Sequence, residues 1–105
     1  MSEASELAQR IRALEARRDI LWSVMGGSKS GAKVYASFLD GSRKPSPATM
    51  TLAEAEGRDL MAEYRELLSQ KLAAHAIAKA HAKAIGEELR ALRAMDQSTV
   101  CRAGG

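Results

Sequence analysis

Four cations and one hydroxyl, Lys29, Lys33, Arg43, Lys44 and Ser37, lie between Gly27 and Met50, a stretch whose only acid is Asp40. Ammonium and guanidinium groups at this density suit phosphate recognition, because each contact that neutralises a polyanion releases counterions and makes binding salt-dependent. Arg43 and Lys44 fall in Gly41-Ser42-Arg43-Lys44-Pro45-Ser46-Pro47, a turn between two helical patterns. Lys33 and Ser37 fall opposite the apolar face made by Val34, Tyr35, Phe38 and Leu39. The plainer reading of the same residues is a solvated interhelical turn whose cations keep it in water.

Other chemistries have less support. His75 and His81 are six residues apart, which on one helix turns them about 240° from each other, so they do not share one ion. Ser5, Ser23 and Cys101 lack any base at a recognisable spacing, and no pair of acids has a pocket context. The expectation is a non-enzyme with no metal and no cofactor. Lys71, Lys79 and Lys83 form a second acid-free cationic run, read first as a solvated face.

The elements that must position these groups are helices. Leu7, Ile11, Leu14, Leu21 and Met25 recur at helical spacing, with Glu3 and Glu6 placed to complement the positive end of a helix dipole. Gly26-Gly27-Ser28 predicts the end of that first helix, and Ser30 a cap for a short second one ending at Gly41. Ser46 followed by Pro47 predicts a further start. From there helical spacing runs to about Met95, either breaking at Gly57, with Asp59 capping a new helix, or continuing. Its stripe is Leu60, Tyr64, Leu67, Leu68, Leu72, Ala78, Ala82, Ile85, Leu89 and Leu92, too irregular to read as a dedicated coiled coil. Such a stripe either folds back on the first helix or meets a second copy, and the symmetric pair is the preferred reading.

The predicted fold is therefore all-α: a helix-turn-helix-like region at 1–57, a long C-terminal helix at 58–96 serving dimerisation, and a flexible tail at 97–105. With 105 residues, a net charge of +3 and 46% hydrophobic residues, many of them alanine, one modest aliphatic core is all the chain can build. The lone Cys101 forms no internal disulfide, and a reducing, cytoplasmic setting is expected. No secretory signal and no membrane span are read.

Residues 11–57 resemble a lambda-repressor-like, Xre-type helix-turn-helix domain. Ile11-Arg12-Ala13-Leu14 matches its first helix, Tyr35-Ala36-Ser37-Phe38-Leu39-Asp40-Gly41 its recognition helix and Ser42 to Pro47 the turn after it, while Thr49 to Glu54 would open a fourth helix. Asp19 to Ser28 occupies the place of the second helix. The resemblance implies that Lys33, Ser37 and Lys29 face a major groove while Arg43 and Lys44 meet phosphates. It implies a homodimeric regulator of phage or plasmid type that binds double-stranded DNA. The rival expectation is a non-enzymatic helical interaction factor: a mobile-element accessory protein, an inhibitor or an adaptor.

Overall fold

The computed structural model describes the backbone of residues 3–104 and the side chains of residues 3–97. Three helices account for nearly all of it: α1, Glu3–Asp40; α2, Pro47–Glu56; and α3, Leu60–Gly104. The fold is all-α, with a long C-terminal helix.

The expected stop at Gly26-Gly27-Ser28 is absent, and α1 is a single helix of 38 residues. Gly26 and Gly27 are helical, since among the described residues positive φ occurs at Gly41 and Gly57 alone. The reason lies in a longer-range pattern. Leu7, Ile11, Leu14, Arg18, Leu21, Met25, Ser28, Ala32, Tyr35 and Leu39 alternate four- and three-residue steps without a slip, a heptad seam that continues on both sides of the glycines. Two interior glycines cost about 1 kcal/mol each relative to alanine, less than is lost by breaking that register. The predicted short recognition helix is therefore the last two turns of α1, with no turn in front of it.

The later boundaries follow their local signals. Gly41, at φ 86°, ends α1. Ser46 caps α2 by accepting from the Thr49 amide, and Pro47 fills the first helical position. Gly57, in the left-handed region at φ 68°, ends α2, and its amide donates back to the Glu54 carbonyl at 3.2 Å. Asp59 then caps α3, its carboxylate accepting the Ala62 amide at 3.2 Å. The break at Gly57 is thus the alternative that the chain adopts. Beyond Asp96, where a frayed tail is expected, the backbone of α3 remains helical to Gly104, because extending an established helix gains one hydrogen bond per residue fixed. Cys101 and its neighbours lie outside the described side chains.

Contacts divide the chain into two units, residues 1–24 with 77–105 and residues 25–76, so they do not follow the expected boundary at residue 57. In the first unit, Ala78, Ala82, Ile85, Leu89 and Leu92 of α3 are buried. Ion pairs bridge α1 and α3 there, Arg10 to Glu88 at 2.8 Å and Arg93 to Glu15 at 3.2 Å. In this unit the part of the expected stripe from Ala78 to Leu92 is covered by the chain itself. The stripe is also more regular than the sequence suggested: Tyr64, Leu68, Lys71, His75, Ala78, Ala82, Ile85, Leu89 and Leu92 keep the four-three alternation once Lys71 and His75 replace Leu72 as members.

The second unit is held differently. Tyr64 stacks on Phe38 at 4.7 Å between centroids and on Tyr35 at 6.0 Å, joining the end of α1 to the start of α3. The stem of Lys71 lies against Gly31, where an added Cβ would come within 3.1 Å of it. Ala53 is the one buried apolar side chain among this unit's described residues, and Ser28 is buried at its seam position.

Candidate nucleic-acid interface and its neighbouring groove

Lys29, Lys33 and Ser37 follow one another at four-residue steps along one face of α1, all in the second unit. Both lysines are exposed; Ser37 is half-buried, and its hydroxyl donates to the Val34 carbonyl at 2.6 Å. That bond occupies the proton a base reader would offer. Arg43 and Lys44 sit in the turn after Gly41 and are exposed. Arg43 donates its amide to the Ser37 carbonyl at 3.0 Å and lays its guanidinium 5.9 Å from the Phe38 ring centroid. Among the described residues, none of Lys29, Lys33, Arg43 and Lys44 forms a salt bridge. The five candidate residues are thus on one unit, split between a helix face and a turn.

Asp40, the only acid of this stretch, is committed to the turn itself. Its carboxylate accepts the Ser42 amide at 2.7 Å and also the Ser42 hydroxyl. These two hydrogen bonds, the hydroxyl's first, hold its pKa below the usual carboxylate value. A depressed folded-state pKa means that the stabilisation is present at neutral pH and lost as pH falls through the lowered value. Ser42→Ala should therefore move the Asp40 titration up toward an ordinary carboxylate while leaving the amide bond in place, as read from side-chain carboxyl NMR shifts. An unmoved titration would show that the hydroxyl contributes nothing.

Sequence reading missed what lies beside the lysines. Ser28, Lys29, Ala32, Lys33, Ala36, Leu72 and His75 line a groove of about 400 Å³. Its floor is small because Ser28, Ala32 and Ala36 repeat every four residues on α1, and Leu72 stands 56% exposed at its wall. The signal was available: alanine and serine at that spacing beside lysines open a channel that leucines would have filled. His75 lines this groove, whereas His81 is exposed in the other unit.

Between α2 and α3, Arg58 is held by acids. It pairs with Glu63 at 3.0 Å and Glu56 at 3.2 Å, and these carboxylates, Glu63 foremost, raise its pKa further above neutrality. Arg58 accordingly stays charged at any pH the fold survives. Among the described residues no group of three or more His, Cys, Asp or Glu is placed to hold a metal, and no helix is long and apolar enough to cross a membrane. No known family model, curated protein or solved structure matches the chain.

Proposed function

We propose that the chain is a non-enzymatic helical interaction factor that receives an apolar-faced helix of another protein. The observation that carries this reading is in the first unit, where Ile20 is 65% and Ile77 61% exposed on helices whose opposite faces are already engaged. On α1, Ala13, Ala16 and Ile20 make a second helical stripe; on α3, Ile77, Ala80, Ala84 and Ala91 do the same. At 3.6 residues per turn each lies roughly 150° from its helix's buried seam. The two stripes therefore face outward on different helices, and on each the small side chains let a partner helix approach closely with its isoleucine as anchor. Val24, 43% exposed one turn beyond Ile20, extends the surface.

The test is a pull-down from nuclease-treated lysate with the wild type and with Ile20→Glu/Ile77→Glu. Because both side chains are exposed, the variant should keep the wild-type far-UV helicity and melting temperature within a few degrees. A stoichiometric protein should accompany the wild type and be lost from the variant. Equal recovery with both would place the contact elsewhere and remove this reading.

A second reading, binding of double-stranded DNA, rests on one observation: Arg43 and Lys44 are exposed on a turn and have no carboxylate partner among the described residues. It needs no separate recognition helix and carries affinity without sequence preference. In that case Arg43→Ala/Lys44→Ala would reduce the slope of log affinity against log salt by about 0.9 for each phosphate no longer neutralised, and no shift on any DNA at low salt would exclude it.

A further inference from the structure

We infer that Arg18 and Trp22 together receive a carboxylate carried by another protein, on a face of α1 separate from the Ile20 stripe. Arg18 holds a seam position in the first unit and is half-buried. Its Nε is buried and finds no acceptor among the described residues. The guanidinium carbon stands 4.4 Å from the centroid of the Trp22 ring. Trp22 itself is 52% exposed.

A guanidinium drawn partly out of water loses hydration, and an ion pair ordinarily makes up that loss. Among the described residues Arg18 forms no salt bridge. The nearest acids in sequence are placed otherwise: Glu15 is bound to Arg93 at 3.2 Å, and Asp19 is exposed, about 100° further round α1. Attraction to the indole face restrains the guanidinium, so less freedom is lost when a ligand arrives. Nε alone of its nitrogens is enclosed without a partner, which leaves Nη1 and Nη2 within reach. Their N–H groups match the two oxygens of one carboxylate. The exposed part of Trp22 supplies an apolar rim that shields such a pair from water, and arginine and tryptophan are the side chains that most often dominate protein contacts. A polyanion is disfavoured, because Glu15 and Asp19 stand within one turn of Arg18. The ligand is therefore a single acidic side chain beside an apolar residue.

Ile20 lies roughly 160° round the helix from Arg18, so this contact stands or falls separately from the Ile20 and Ile77 stripes. Trp22 is the only tryptophan of the chain, and its emission reads this place alone. The experiment titrates the full chain with acetyl-Leu-Glu-amide at constant ionic strength, with acetyl-Leu-Gln-amide as the uncharged isostere and inorganic phosphate as the competing anion. The glutamyl peptide should change the emission saturably and bind about tenfold more tightly than either the glutaminyl peptide or phosphate. Arg18→Gln should weaken its binding about tenfold, with far-UV helicity checking the fold. Absence of a saturable change, equal binding of the two peptides, a preference for phosphate, or an unchanged affinity in Arg18→Gln overturns the proposal. Should Arg18→Gln lower helicity, Arg18→Lys replaces it. Lysine keeps the charge without the planar fork, so the glutamyl peptide is then expected to bind about threefold more weakly, and equal affinity counts against the site.

Discussion

Leu89→Ala is expected to cost about 3 kcal/mol of stability, the largest single-residue loss predicted for this chain. Leu89 is fully buried, at 0% exposure, in the middle of the run Ala82, Ile85, Leu89, Leu92 that holds α3 in the first unit. Removing three side-chain carbons there forfeits transfer energy and leaves a cavity that the flanking helices close only in part. In a protein of this size each kcal/mol moves the melting temperature by roughly 4–8 °C. Ile77→Ala is the control. Ile77 is a larger loss in nominal hydrophobicity than its neighbour Ala78 could give, yet it is 61% exposed and should cost under about 0.5 kcal/mol in the isolated chain. Equal costs at the two positions would mean that the seam does not run through Leu89.

Gly26→Ala/Gly27→Ala should raise stability by about 2 kcal/mol, close to 1 for each position. Both glycines are helical, and a Cβ built on either meets nothing within 4 Å. Alanine there removes unfolded-state freedom without any native clash. The sign is the informative part. Were these glycines instead ending one helix in the left-handed conformation, alanine would be strained and the same pair would destabilise. Gly41 and Gly57 supply the contrast within the same molecule, at φ 86° and 68°, where alanine should lower stability by about 1 kcal/mol each. Chemical denaturation of the three variants measures all of these.

The same residues show how far the sequence is legible. Signals that act within four residues hold: Ser46 with Pro47, Gly41, and the pair Gly57 and Asp59 all sit where local capping chemistry puts them. So do Ala78, Ala82, Ile85, Leu89 and Leu92, because apolar spacing and burial coincide there. Gly26-Gly27-Ser28 is the failure. Its local chemistry says stop, while the heptad that carries α1 through it includes Arg18 and Ser28, polar residues that a search for apolar stripes discards. α3 repeats the difficulty, since Lys71 and His75 hold seam positions and Leu72, the residue that looks like a member, is outside. Tertiary register decides both cases against local propensity.

The candidate site changes with it. Lys29, Lys33, Ser37, Arg43 and Lys44 read in the sequence as cations and a donor around a recognition helix. With α1 continuous, Tyr35 to Asp40 is an anchored helix end, stacked on Tyr64 and tied through Ser37 to its own backbone. The lysines acquire a different neighbourhood, the alanine-floored groove, which depends on α1 and α3 lying side by side and so could not be read from either segment alone.

Backbone NMR of residues 20–35 tests this account most directly, because the continuity of α1 decides whether a separate recognition helix exists. Cα secondary shifts should remain helical from Leu21 through Gly26, Gly27 and Ser28 to Tyr35, with slowed amide exchange at Ser28 and Lys29. Shifts that return to zero across Gly26 to Ser30, with fast exchange there, would contradict it and restore a turn before Tyr35.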